Sequence, residues 1–214
     1  MKALSTVRLA AALASVPVLS FAVMACSPSA ASLLADLPIG KPAPDFRAMD
    51  PNGREVALSD FRGKTVVLEW NNPECPFTKK HYESGNMQRS QAVATAGGIV
   101  WLTINSSAQR KQGHLTPAEA RALIAADQSR RTFYLLDPEG MVGKSWGAKT
   151  TPHLFVVDPT GTLVYRGAID DRPTASKDDI SGARNHVLAA LAELKQGKPV
   201  SVPTTSPYGC GVKY

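Results

Sequence analysis

The sequence predicts an α/β fold, a mixed β-sheet with helices on both faces. Three observations predict it. Apolar runs at residues 65–70, 99–104 and 132–136 alternate with stretches whose apolar residues recur at helical spacing. Two further runs, 153–157 and 163–166, follow each other directly across Asp158-Pro159-Thr160-Gly161, a hairpin turn signal. Residues 178–195 then place Val187, Leu188, Leu191 and Leu194 on one helical face. Alternating strands and helices call for parallel neighbours, and the late hairpin adds antiparallel ones.

Each element has a local cause. Gly40-Lys41-Pro42-Ala43-Pro44 is a stiff opening segment. Asp50-Pro51-Asn52-Gly53 turns residues 46–49 back onto 55–58 as a small hairpin. Residues 65–70 read as a buried strand, a helix is expected from about 76 to 96, and residues 99–104 form the next strand. A polar loop, 105–115, leads to Thr116-Pro117-Ala118-Glu119, a capping-box pattern with proline at the first helical position. The third strand, the hairpin and the closing helix follow. No internal repeat or low-complexity linker interrupts them, so one domain is expected over residues 37–197, followed by an extended Pro/Gly-rich tail, 198–214.

A different pattern precedes the domain. Met1-Lys2 and Arg8 give a positive start, residues 9–25 are apolar, and Ser27-Pro28-Ser29-Ala30-Ala31 supplies small residues. Residues 1–31 therefore read as a secretory signal, and the mature chain as exported to the periplasm. Val23-Met24-Ala25-Cys26 resembles a bacterial lipobox, in which Cys26 would be lipidated and would attach the chain to a membrane. Ordinary cleavage after Ala31 is the alternative. Lipidation or cleavage after Ala31 leaves Cys75 and Cys210 as the remaining thiols, a candidate disulfide in an oxidising compartment.

Composition narrows the function classes. With 43% hydrophobic and 20% charged residues, the chain is neither disordered nor collagen-like. Three cysteines are too few for a disulfide scaffold, and no run of 18 apolar residues follows the leader. Losing Lys2 and Arg8 with the leader leaves 22 basic against 18 acidic residues, so the net charge falls from +6 to +4. That excess is scattered, and nucleic acid is not an expected partner.

Chemistry concentrates at Cys75, five residues beyond Trp70, where a buried strand gives way to a helix. Pro76 at the first helical position makes Cys75 the N-cap, beside backbone N–H groups that the helix leaves unpaired. The positive end of the helix dipole favours thiolate over thiol there, and Lys79 and Lys80 add to it if they point the same way. A buried, inert cysteine is the alternative.

Gly40-Lys41-Pro42-Ala43-Pro44-Asp45-Phe46, the strand ending in Trp70, the cysteine at the helix start and Thr150-Thr151-Pro152 together resemble the thioredoxin superfamily. The nearest branch is the redoxins of the alkyl hydroperoxide reductase/thiol-specific antioxidant type. The resemblance runs from about Leu37 to Lys195 and implies a thioredoxin-like fold. It implies a cis Pro152 facing Cys75, with Thr151 presenting its backbone to substrate. It also implies Glu69 as a buried proton acceptor, and Trp70 and Thr78 beside the substrate. Two departures stand out. Cys75-Pro76-Phe77-Thr78 has threonine where a second cysteine would stand. Asn72 and Leu68 occupy the positions at which peroxiredoxins carry a threonine or serine and a proline, so the peroxidase motif is missing.

Cys210, in Tyr208-Gly209-Cys210-Gly211, is the candidate for the missing partner. Pro199, Pro203 and Pro207 keep the segment before it extended, and some fifteen residues at about 3.3 Å each reach ~50 Å, enough to cross the domain. Cys210 then resolves an oxidised or mixed-disulfide Cys75, staples the tail as a static disulfide, or stays unpaired or intermolecular.

Other constellations are weaker. Cys75, His81 and His153 could approach one another around copper or zinc, but no metal and no cofactor is expected. Gly63-Lys64-Thr65 echoes a phosphate loop, yet Leu58 stands where its first glycine must be. Asp170-Asp171 reads as a solvated loop, His114 and His186 as surface residues, and Trp101 and Trp146 as core or pocket wall. The expectation is an exported thiol-dependent oxidoreductase acting on a protein disulfide or a peroxide and recharged by a thiol reductant. The alternative is a non-catalytic thioredoxin-fold module that binds peptide or copper.

Overall fold

The computed structural model describes residues 36–214; the predicted leader and Cys26 lie outside the described residues. The strands are β1 (Arg47–Met49), β2 (Glu55–Ala57), β3 (Val66–Trp70), β4 (Val100–Asn105), β5 (Phe133–Leu136), β6 (Thr150–Thr151), β7 (His153–Val157), β8 (Leu163–Gly167) and β9 (Cys210–Gly211). The helices are α1 (Pro76–Glu83), α2 (Asn86–Ala96), α3 (Pro117–Ala126), α4 (Met141–Ser145) and α5 (His186–Lys195). Seven strands form one mixed sheet in the order β2-β1-β5-β4-β3-β7-β8, with β3, β4 and β5 parallel and β7 antiparallel to β3.

Strand alternation divides the core between two faces. Val66, Leu68 and Trp70 of β3 join Leu102, Ile104, Phe155 and Trp146 on one side. Val67 joins Trp101, Leu154, Met87, Val187 and Leu191 on the other. Glu69, two residues after Val67, therefore points to the second face, where α1 and α2 pack. Among residues 99–104 and 153–157 the expected strands recur, and the capping box at Thr116 is present in full, with the Thr116 side chain and Glu119 each bonding the other's backbone N–H.

Three local expectations are corrected and one element is added. The helix expected over 76–96 is broken in two at Gly85, whose φ of 73° is left-handed. The helix expected over 178–195 begins as a 3-10 turn, Lys177–Gly182, and restarts at His186 with Asn185 capping the Leu188 amide. Helix α4 was not expected; the Asp137 carboxylate organises it by accepting from the Val142 and Gly143 amides at 3.2 and 2.9 Å. Asp170 is not solvated but 2% exposed, because the tail covers it.

The tail is built into the molecule. Thr205 N donates to Arg166 O at 3.1 Å, and the Thr205 hydroxyl meets the buried Tyr165 hydroxyl at 2.7 Å. Beyond it β9 pairs antiparallel with β6, Cys210 opposite Thr151 and Gly211 opposite Thr150. Val212 N donates to Lys149 O, Lys213 O accepts from Ala108 N, and the Tyr214 hydroxyl donates to Ala148 O.

Candidate active site

Strand β3 ends at Trp70, and the next four residues turn the chain into α1. Asn72 shapes that turn: its Oδ1 accepts from Glu74 N, its backbone O accepts from Cys75 N, and its Nδ2 donates to Gln112 O. Gly113 has to be glycine beside it, since a Cβ there would lie 2.0 Å from Asn72 Oδ1. Cys75 is the N-cap of α1 and Pro76 its first residue.

The Cys75 sulfur is fully buried, yet its surroundings are polar. Sγ lies 3.0 Å from Thr151 O, and the Thr151–Pro152 peptide is cis. Cys210, its side chain partly exposed, pairs with Thr151 beside the same sulfur, and both cysteines are unbridged. Burial pushes the Cys75 thiol up, but hydrogen bonds from the Cys210 thiol, Thr151, the Thr78 amide and the Cys210 amide together outweigh it. The Cys75 pKa ends below its ordinary value. Cys210 moves the other way, to about 11, through burial and through holding its proton against Cys75. The two shifts set the pair apart, with the lower value at Cys75 and the higher at Cys210.

Pro152 and Thr151 thus lie beside Cys75, but the Thr151 backbone is not open to a substrate, because Cys210 pairs with it. Thr78 contributes its amide to the sulfur. Its side chain is 1% exposed and lines a cavity of about 400 Å³ between α1 and α3, its Oγ1 without a hydrogen-bond partner. Trp70 has no exposed surface with which to touch a substrate. It packs 5.2 Å from the Phe155 ring and 6.1 Å from that of Trp146, and donates to Ser106 Oγ. Trp101 and Trp146 are likewise core.

Glu69 is buried, and its carboxylate bonds groups other than Cys75. Its carboxylate accepts from Asn71 Nδ2, Tyr82 Oη, Gln91 Nε2, Trp101 Nε1 and Thr103 Oγ1, at 2.8 to 3.3 Å. Five donors fill its lone pairs, and Tyr82 stands two turns down α1 from the cysteine. Neither lysine supports the thiolate: Lys80 Nζ donates to Arg172 O at 2.7 Å, and Lys79 is exposed along the cavity between α1 and α3.

Sequence reasoning missed how the tail is held. The Tyr208 hydroxyl donates to Asp170 Oδ1 and lies 3.1 Å from His81 Nε2. The Asn86 amide lies 2.8 Å from His81 Nδ1, which assigns Nδ1 as acceptor and the ring proton to Nε2. Burial lowers the His81 pKa to about 4, so the ring is neutral at pH 7. The Tyr208 ring packs against Phe77 at 5.9 Å and under Lys80 Nζ at 5.6 Å. An aromatic residue inside an otherwise polar, proline-rich tail was the available signal. His153 faces elsewhere, 3.2 Å from Lys149 N and against Phe155, so it does not join His81 and Cys75 around a metal. Among the described residues no three His, Cys, Asp or Glu side chains cluster as metal ligands.

The AhpC/TSA family model matches residues 39–166. This chain belongs to the AhpC/TSA family. The matched AhpC/TSA segment includes Cys75 and Thr151–Pro152 and ends before the tail. Over 145 residues the chain is 26% identical to the thiol:disulfide interchange protein DsbE of Escherichia coli (strain K12), covering 66% of this chain and 71% of that protein. It is 29% identical to peroxiredoxin-2 of Macaca fascicularis over 153 residues, covering 66% and 74%. The crystal structure of an uncharacterized conserved protein from Geobacillus kaustophilus superimposes with a TM-score of 0.69 at 27% identity, covering 83% of this chain and 92% of that one. The fold is thioredoxin-like, and the family is one of thiol-disulfide oxidoreductases and peroxiredoxins.

Proposed function

We propose that this AhpC/TSA chain is an exported thiol-disulfide oxidoreductase in which Cys75 is the nucleophile and Cys210, from the same chain, resolves. The observation that carries the reading is the placement of Cys210 opposite Thr151 in the β6–β9 pairing, where Thr151 O also accepts from Cys75 Sγ at 3.0 Å, with opposite pKa shifts at the two thiols. The Cys75 thiolate attacks one sulfur of a disulfide RSSR, forming Cys75–S–S–R and releasing RS⁻. The Cys210 thiol gives its proton to that thiolate and attacks Cys75 Sγ, closing the Cys75–Cys210 disulfide and releasing the second RS⁻. Two protein thiols are oxidised and one disulfide is reduced; an external dithiol returns the pair to its starting state.

A disulfide is favoured over a peroxide by the chemistry of the β3–α1 turn. Asn72 stands where a peroxidase hydroxyl is expected, and both ends of its amide are already used by Glu74 and Gln112. Leu68 is core. In this reading Glu69 does not take the Cys75 proton; it anchors Tyr82 and the sheet, and Cys210 manages the proton. The competing module that binds an extended peptide would need the edge that β9 fills. Export, and membrane attachment through a lipidated Cys26, rest on the leader sequence.

Non-reducing peptide mapping before and after treatment with a small disulfide tests the reading. The expected map gains a Cys75–Cys210 crosslink within one chain, which Cys75→Ser abolishes together with turnover. Turnover retained in Cys75→Ser would refute the assignment. In the same maps of the purified mature protein, an intact Met1 would end the export reading.

A further inference from the structure

We propose that tail residues 207–212 are a built-in occupant of the polypeptide-pairing edge beside Cys75, so that this enzyme reacts with low-molecular-weight disulfides in preference to polypeptide disulfides, and that Tyr208 is the positioning residue that holds the segment there. The proposal rests on the thiol reading above and names its substrate class.

An extended polypeptide binds a folded domain most readily by adding a strand to an open sheet edge, with main-chain hydrogen bonds supplying affinity. The edge next to the Cys75 sulfur is β6, and it is taken: Thr151 pairs with Cys210 and Thr150 with Gly211. The contact is too close for slack. A Cβ on Gly209 would lie 2.1 Å from Thr151 O, and Gly209 has a φ of 134°. A second strand cannot share this edge with β9.

The segment is fastened on both sides of Cys210. On one side Tyr208 is inserted between Phe77, Lys80, His81 and Asp170. On the other, Val212 and Lys213 bond the Lys149 and Ala108 backbones, and the Tyr214 ring sits where a Cβ on Gly140 would meet it at 2.5 Å. Between these anchors lie only Gly209, Cys210 and Gly211. Two glycines leave that short span free to swing while its ends stay fixed. Such a swing uncovers Cys75 Sγ, which is otherwise 0% exposed, to a molecule of a few atoms. It does not clear the edge for a polypeptide strand, which requires Tyr208 to leave its half-buried site.

The experiment compares single turnovers of the pre-reduced full chain with bis(2-hydroxyethyl) disulfide and with insulin, each followed by formation of the Cys75–Cys210 crosslink. The native chain should favour the small disulfide by about tenfold or more in second-order rate constant. Tyr208→Ala should raise the insulin-to-small-disulfide ratio by about tenfold, with Tyr208→Phe, which keeps the ring, restoring most of the native preference. Gly209→Ala, which forces β9 off Thr151 by a separate route, should shift the ratio in the same direction and serves if Tyr208→Ala does not fold. Comparable native rates with both disulfides, or a ratio unmoved in whichever variant folds, would overturn the proposal while leaving the thiol reading intact. No crosslink with either disulfide would overturn the thiol reading and this proposal with it.

Discussion

At the scale of single residues, the two cysteines show how one environment drives two like groups apart. Both are partly desolvated, which alone would raise both. Hydrogen bonding from Cys210, the Thr151 side chain and the Thr78 amide lowers Cys75, while Cys210 holds its proton against a neighbouring sulfur. In the proposed reading the low end is the attacking sulfur, and the high end the one that stays protonated until its turn comes. This makes the Cys75 pKa depend on the tail. In Cys210→Ala the thiol should titrate about one to two units higher, because a hydrogen bond to a charged group contributes about 1.5–3 kcal/mol. Thiolate absorbance in the ultraviolet, followed against pH, reads this directly. A titration that does not move would mean that the helix N-terminus alone sets the nucleophile, and that Cys210 is not its proton partner.

At the scale of elements, what could be read from the sequence is what local chemistry decides. A strand of Val-Val-Leu-Glu-Trp, a proline after Cys75, a capping box at Thr116 and a Pro-Thr-Gly turn each act within a few residues, and each stands where expected. What could not be read depends on partners far along the chain. Strand β9 is two residues flanked by glycine, with no propensity of its own; it exists because β6, some sixty residues earlier, is there to pair with it. Asp170 looked solvated because the Tyr208 that buries it lies in the tail. The place of Glu69 on β3 is legible, but the donors that fill its carboxylate converge from α1, α2, β4 and Asn71 of the following turn, which no local pattern shows. The break between α1 and α2 is a subtler miss, since a glycine within a helical pattern is tolerated as often as it terminates one. Here the backbone at Gly85 is left-handed, and a Cβ would lie 3.0 Å from Arg89 Nη1. Gly85→Ala should cost about 1–2 kcal/mol in chemical denaturation while leaving the Cys75 titration unchanged. An alanine variant as stable as the native chain would show that the helices can fuse into one.

At the scale of the whole molecule, the sheet separates two cores, and a neutral histidine is buried on each side of it. His81 belongs to α1 and the face shared with Val67 and Trp101; His153 stacks on Phe155, on the face of Trp70. Burial lowers His81 to about 4 and, with Lys149 and Arg166 nearby, His153 to about 3. An unfolded chain holds both near 6.5. Above that pH both states are neutral and the full stability is present. Below it the unfolded chain takes up two protons that the folded chain refuses until pH 4 and below, so stability falls as the pH falls. Each histidine contributes a slope approaching 1.4 kcal/mol per pH unit, so the unfolding free energy should drop by roughly 3–4 kcal/mol between pH 7 and pH 5. The depressed carboxylates, Asp36, Asp45, Glu83, Glu119 and Glu193, act mainly below this window, since even unfolded they titrate near pH 4. Denaturant titrations at a series of pH values measure the drop, and His153→Gln, which keeps an acceptor for Lys149 N, should remove about half of it. A stability that stays level from pH 7 to pH 5 would mean that one or both rings take up a proton in the folded state. For His81 that would rewrite the hydrogen-bond chain through Tyr208 to Asp170, on which the placement of Cys210 depends.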